Sequence, residues 1–316
     1  MSLNRRDKVY VAGHRGLAGS AIVRALAAAG FTDVIGRSRA ELDLRDREAA
    51  RAFFAAERPV VVVLAAARVG GILANATEPV EFLSDNLRIG VNVLDAAREF
   101  GVHRLLFLGS SCVYPREAAQ PIREDALLTG PLEPTNQAYA VAKIAGMAHV
   151  GALRAQYGLP YVSVMPSNLY GPGDTFDAHR AHVLPAIIAR FHRAREAGDA
   201  EVRLWGTGSA LREFLHVDDF ARACLTVLDE YDEPEPINIG TGVDLTIGEL
   251  AELVAEVVGY RGAIAWDAER PDGTPRKLLD ISRITGLGWA PRVELREGVA
   301  RTYTWYRGHV ACTGES

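Results

Sequence analysis

Cysteine is scarce. The 316-residue chain has three, Cys112, Cys224 and Cys312, an odd number set far apart with no CxxC or other metal-ligand spacing. A disulfide scaffold and a thiolate metal centre are therefore both excluded, no metal is expected, and the thiols point to a reducing cytoplasm. No apolar run approaches the roughly 20 residues that span a bilayer, and the opening MSLNRRDKVYVAGHRG lacks the apolar core of a signal peptide, so no membrane partner is expected. A basic excess is missing too. The net charge is −5, which argues against nucleic acid as a partner, since a phosphate-backbone binder carries a surplus of Lys and Arg. Any anionic ligand must then meet a local cationic site. Internal repeats and low-complexity linkers are also lacking.

What is present alternates. KVYVAG reads as a strand and GLAGSAIVRALAAAG as the helix after it, stopping at Gly30. DVIGRS, VVVVLAAA and LLFLGSS are three more short apolar runs. Between the last two, Phe82, Leu83, Leu87, Val91 and Leu94 fall on one face of a helix. Strands of this kind need cover on both faces, which predicts an α/β fold with a doubly wound, parallel Rossmann-type sheet. Further helices are predicted over 139–157, 182–197, 217–230 and 246–258, the last opened by a Thr246 to Glu249 capping box, and further strands over 161–166 and 236–240. The domain reading is a nucleotide-binding unit of residues 1–168 plus about 213–240. A smaller C-terminal α/β substrate-binding unit takes about 169–212 plus 241–316.

Gly13, Gly16 and Gly19 lie between the first strand and its helix, where glycines let a pyrophosphate approach backbone amides at a helix start. The alternative is a tight turn and nothing more. The next strand runs out through Arg37 and Arg39, where an NAD binder usually offers an acid to the ribose. Arginines suit a 2′-phosphate, and Arg15 in the glycine loop can reach the same group, so NADP(H) is the expected cofactor. A solvated arginine pair, with Glu41 or Asp43 serving a ribose, is the competing reading.

Tyr139 and Lys143 stand four apart at a helix start and share a face. An ammonium 4 Å from the phenol, at an effective dielectric of 20, is worth about 4 kcal/mol, enough to bring a tyrosine from about 10 to near 7. Such a group exchanges protons with a carbonyl. Ser110 waits at the end of a predicted strand, and GSSCVYP continues to Cys112. Read alone, Cys112 is a small packed side chain or a group that moves protons.

Glycines 13, 16 and 19 with Ser110, Tyr139 and Lys143 resemble the extended short-chain dehydrogenase/reductase family. The runs LAAARVGGILAN, TGPLEPTNQAYAVAKIAG, NLYGPGD, REFLHVDD and PDGTPRKLLD are similar to its branch that epimerises and reduces nucleotide-linked keto sugars, from about residue 8 to 306. The resemblance implies NADPH-dependent 3,5-epimerisation and 4-reduction of GDP-4-keto-6-deoxy-D-mannose, in a homodimer. Catalysis then falls to Tyr139, Lys143 and Ser110 for reduction, and to Cys112 and His182 for epimerisation. Cofactor contacts fall on Gly13, His14, Arg15, Gly16, Leu17, Gly19, Arg37, Arg39, Asp43, Leu44, Ala65, Ala67, Leu108, Gly109, Ser110, Lys143, Pro166, Asn168, Leu169 and His182. Sugar-nucleotide contacts fall on Ser111, Cys112, Asn168, Arg190, Trp205, Arg212, Asp272 and Lys277. The chain departs from the branch at Ser167, Thr175 and Ala181, near the expected sugar.

Other readings stay open on the sequence: a related nucleotide-linked deoxy sugar as substrate, or a non-enzymatic dinucleotide sensor or scaffold. A dehydratase needs an acid pair after the strand-end hydroxyl, where this chain has Ser111 and Cys112.

Overall fold

The computed structural model describes residues 3–270 and 272–310. Cys312 lies outside them. In chain order the first half runs β1 (Val9–Ala12), α1 (Leu17–Ala28), β2 (Val34–Ile35), α2 (Arg47–Glu57), β3 (Val61–Leu64), α3 (Ile72–Thr77), α4 (Pro79–Glu99), β4 (Arg104–Leu108), α5 (Gln137–Tyr157) and β5 (Tyr161–Pro166). There follow β6 (Asn168–Tyr170), α6 (Val183–Ala197), β7 (Glu201–Trp205), β8 (Leu211–His216), α7 (Val217–Glu230) and β9 (Ile237–Ile239). The chain continues through β10 (Asp244–Thr246), α8 (Ile247–Val258), β11 (Ala263–Asp267), β12 (Arg276–Lys277), α9 (Ser282–Gly286) and α10 (Leu295–His309).

Six strands form one parallel sheet in the order β2-β1-β3-β4-β5-β9. Alternate residues of each strand feed opposite faces, as the two-residue period of a strand requires. Val9, Val11, Val61, Val63, Leu106 and Val164 pack toward one face, with residues of α1 and α7. Tyr10, Val62, Leu64, Leu105, Phe107 and Met165 pack toward the other, with residues of α4 and α5. Successive strands step outward in opposite directions from β1, so the crevice at the carboxyl ends of β1 and β3 is the topological switch point.

A second layer begins after β5. There β8 sits between β10 and β12 and also pairs with β6, while β7 and β11 form a separate two-stranded ribbon. A third core joins α6, α8 and α10 around Phe191, Leu250, Val254 and Val299. Buried Glu213 on β8 ties the layers together by accepting backbone N–H bonds from Thr241, Gly242 and Leu279. Thr246 caps α8 with the reciprocal Glu249 box predicted for it.

The structure corrects the reading of α4. Leu83 and Leu87 are only half-buried and Val91 is exposed, whereas Asp85 and Asn86 are buried with Phe82, Val93 and Leu94. The polar pair is tolerated inside because each member is satisfied. Asp85 meets Arg45 and Arg68, and Asn86 bonds the backbone of Arg68 and Phe82.

Candidate active site

The glycine loop closes tightly. Gly13 has φ +83°, and a Cβ there would meet the Ala66 nitrogen at 2.7 Å. One on Gly19 would strike the Gly13 carbonyl oxygen at 2.1 Å, so the helix can sit against its loop only without side chains. Gly16 caps α1 with no side-chain acceptor, and no acid stands in its first turn. The amides there therefore keep the positive end of a 12-residue helix for an anion. His14 packs its ring against Gly36 of the following loop, and Leu17 begins the helix. Ala65 and Ala67 follow β3 beside the loop, with Ala65 donating to the Ala12 carbonyl. This cradle fits a dinucleotide pyrophosphate.

The arginines beyond β2 differ in availability. Arg37 donates to Glu57 at 2.6 Å and lies over the Phe53 ring, so its guanidinium is committed to the fold. Arg39 is two-thirds exposed and touches Asp43 only at 3.9 Å. Arg15 is exposed on the glycine loop, near enough to Glu41 to help hold that carboxyl low after its hydrogen bonds to Ser38. Asp43 is itself held by Arg45, whose hydrogen bonds pull its carboxyl down to about 2. The Leu44 side chain is core, and its carbonyl accepts from Asn92.

At the end of β4 the chain turns tightly. Gly109 admits no Cβ, which would meet the Val164 carbonyl oxygen at 2.9 Å. Ser110 then caps a single 3-10 turn, Ser111–Val113, its hydroxyl accepting the Cys112 N–H at 3.2 Å. The same hydroxyl lies close enough to the Tyr139 phenol to favour its ionised form. Lys143 is buried, donates to the Leu108 carbonyl at 2.6 Å and lies 5.8 Å from the centre of the Tyr139 ring.

This geometry corrects the expectation that the lysine lowers the phenol toward neutrality. Burial dominates Tyr139 and pushes its phenol up, with the nearby Cys112 sulfur adding to the rise and the neighbouring Ser110 hydroxyl opposing it. Burial likewise brings Lys143 down to about 8. The Leu108 carbonyl, which spacing along the helix does not reveal, accepts the ammonium N–H that spacing alone directs at the phenol.

Cys112 is half-buried, and two donors reach its sulfur: Asn136 Nδ2 at 3.3 Å and Lys277 Nζ at 3.7 Å. Arg212 adds an electrostatic attraction to Cys112 and bonds the Asp272 carbonyl, with burial holding the guanidinium below its ordinary value. Asp272 in turn accepts two bonds from Thr207. A cavity of about 310 Å³ opens between Ile72, Arg116, Glu133, Thr135, Asp272 and Gly273.

His182 caps α6 without using its side chain. The residue is solvent-exposed, yet the protein packed around it holds the imidazole below its usual value. Its loop is clamped by the start of α3: Gly71, the N-cap of that helix, donates its N–H to the Arg180 carbonyl at 3.0 Å, and a Cβ on Gly71 would lie 2.6 Å from the Ala181 oxygen. The Gly71 clamp and Asn136 are not legible as site residues in the sequence, although both lie in runs, LAAARVGGILAN and TGPLEPTNQAYAVAK, that carry the family resemblance.

The remaining candidates divide. Pro166 ends β5, and beyond it the Asn168 amide donates to the Glu213 carbonyl, beside half-buried Leu169. Arg190 reaches the Arg203 carbonyl on β7, and Ser111 is buried in its turn. Trp205 is half exposed with the Arg270 guanidinium 5.1 Å from its ring centre, so it is no core residue. Cys224 is fully buried and burial drives its thiol up, as packing requires.

Residues 9–240 match the NAD dependent epimerase/dehydratase family. The chain is 58% identical to "Probable GDP-L-fucose synthase 1" of Oryza sativa subsp. japonica, covering 96% of this chain and 93% of that one. It is 50% identical to "GDP-L-fucose synthase" of Escherichia coli (strain K12), over 95% and 97%. Among solved structures, a GDP-L-fucose synthetase from Naegleria fowleri bound to NADP superposes with a TM-score of 0.90 at 26% identity, over 100% and 98% of the two chains.

Proposed function

Because the chain belongs to the NAD dependent epimerase/dehydratase family and, within it, to the GDP-L-fucose synthases, we infer that it converts GDP-4-keto-6-deoxy-D-mannose to GDP-L-fucose. The reaction is 3,5-epimerisation followed by NADPH-dependent 4-reduction. The observation that carries the assignment of roles is one 3-10 turn: Ser110 caps it beside the Tyr139 phenol, and two residues on, Cys112 presents its sulfur.

NADPH, when bound, supplies a hydride to the ketone carbon. The backbone of Gly13 to Gly19 would hold its pyrophosphate, and Arg15 with Arg39 its 2′-phosphate. Tyr139 donates the proton that the reduced oxygen needs, and Ser110 orients that phenol. Buried Lys143 keeps positive charge beneath it.

Epimerisation beside a ketone requires a proton to leave one face and another to arrive on the opposite face. Cys112 takes the first, and His182 supplies the second across the cleft. Arg212, Lys277 and Asp272 bracket the sugar nucleotide, with exposed Trp205 as a wall for its base.

Two further parts of the reading concern its setting. The exposed Val80, Val91, Val141 and Tyr157 on the packed pair α4 and α5 support a homodimer through that face, which sedimentation would test. Free Cys112 supports a reducing cytoplasm.

In deuterated water the protein should place deuterium at C3 and C5 and oxidise NADPH. Tyr139→Phe should lower NADPH oxidation by roughly two to four orders of magnitude. Cys112→Ser should abolish exchange yet leave hydride transfer to an already epimerised ketone. Exchange at the native rate in Cys112→Ser would remove Cys112 from the mechanism.

A further inference from the structure

Asn136 breaks a local rule. It is the N-cap of α5, and asparagine favours that position because its side-chain oxygen usually accepts a backbone N–H of the first turn. Here the side chain makes no cap bond at all. Its amide nitrogen is turned instead to the Cys112 sulfur at 3.3 Å, while its oxygen is buried without a partner. Forgoing a cap destabilises the helix start, and a buried carbonyl without a donor costs more still. Departures of this kind gather at functional sites. Three residues along the same helix stands Tyr139, so one helix start serves both reacting centres.

We propose that Asn136 is a positioning residue for Cys112, and that with Lys277 it forms a two-donor cradle that aims the sulfur at the sugar and stabilises the charge it carries while a carbon-bound proton is taken. The proposal rests on Cys112 being the proton acceptor. Proton abstraction moves one proton from carbon to sulfur, so the acceptor must begin as the anion, which is the form that N–H donors stabilise. The donors come from different parts of the chain. Asn136 ends the 134–136 turn, and Lys277 lies on β12. The other charged or titratable groups near the sulfur are Arg212 on β8, which attracts it, and the Tyr139 phenol, with Glu133 and Asp272 set around Arg212. Lys277 and Arg212 thus supply positive charge near the sulfur, and the amide adds direction without charge. With its oxygen unpartnered, the amide is held in orientation by its contact with the sulfur.

The test reads the sulfur without any sugar. Iodoacetamide is applied to the full-length protein, and the peptides bearing Cys112 and Cys224 are followed separately by mass spectrometry, buried Cys224 reporting any unfolding. Asn136→Ala and Lys277→Met should each slow alkylation of Cys112 at pH 7 by about tenfold, because each removes a donor that stabilises charge on the attacking sulfur. Lys277→Arg should restore the rate to within about threefold, because it keeps the charge. Asn136→Asp preserves the shape but sets a carboxylate beside the sulfur, and should slow the reaction further. Equal rates at pH 7 in native protein, Asn136→Ala and Asn136→Asp would overturn the proposal. Native protein that shows this alkylation pattern but no deuterium at C3 or C5 would keep the cradle and remove the sugar reaction, so the two failures are distinct.

Discussion

Lys143 donates its ammonium N–H to the Leu108 carbonyl at 2.6 Å, and the Tyr139 ring centre lies 5.8 Å from the same nitrogen. The lysine thus supports the tyrosine from below, anchored to the end of β4, and does not share a proton with it. Burial leaves the ammonium at about 8.

That value sets a pH limit on reduction. Tyr139 is pushed up and remains protonated through neutral and mildly alkaline pH, so the group that changes charge first is Lys143. Ketone reduction should be level below about pH 8 and fall as the ammonium is lost above it. Lys143→Met should lower the rate by roughly two orders of magnitude and erase this limb. A pH profile of kcat/KM for NADPH oxidation checks both, and a level profile to pH 10 would rule Lys143 out as its source.

Arg39→Ala should weaken NADPH by about 1.5–3 kcal/mol, or roughly 10- to 150-fold in KM, with NADH little changed. Arg37→Ala removes a pair with Glu57 and a contact with Phe53, so it should lower thermal stability while preserving the preference for NADPH. Steady-state kinetics with both cofactors separates the two. Loss of preference in Arg37→Ala but not in Arg39→Ala would reverse their roles.

Gly71→Ala places a methyl 2.6 Å from the Ala181 backbone oxygen, and backbone cannot yield as a side chain can. The loop carrying His182 must shift. Deuterium exchange at C3 and C5 should fall at least tenfold, since displacing a proton donor by about 1 Å is enough for that. Exchange at the native rate would show that the clamp has no part in placing His182.

Asp174 is buried, takes one hydrogen bond from Thr175 N–H, leaves Oδ2 without a partner, and is pushed up to about 7 by burial. Between the ordinary value near 4 and 7, the folded chain binds a proton that the unfolded chain has released, so stability falls as pH rises through that window. Asp174→Asn mimics the protonated acid. It should stabilise the fold by on the order of 2–4 kcal/mol above pH 7 and by under about 1 kcal/mol at pH 4. Denaturant unfolding at both pH values checks the difference, and a gain independent of pH would refute the cause.

Period and punctuation sufficed for much of this molecule. A two-residue alternation in KVYVA and VVVVL places side chains on both faces of a parallel sheet whatever surrounds them, and a Thr246 to Glu249 box starts a helix by local hydrogen bonds alone. The glycine loop and the shared helix face of Tyr139 and Lys143 were legible for the same reason, since each rests on local spacing. Other features join residues far apart in the chain, and no local period encodes them. Buried Asp85 and Asn86 make sense only once Arg45 and Arg68 are beside them, so hydropathy chose the wrong face of α4. The state of Tyr139 and Lys143 turned on burial, a property of the folded whole. Lys277 reaches Cys112 across 165 residues because β12 pairs with β8, and Asn136 reaches it because the 134–136 turn folds back on the end of β4. Local sequence named the groups that can move protons; long-range packing decided which of them share a charge, because electrostatic coupling depends on distance and solvent exclusion, and tertiary structure sets both.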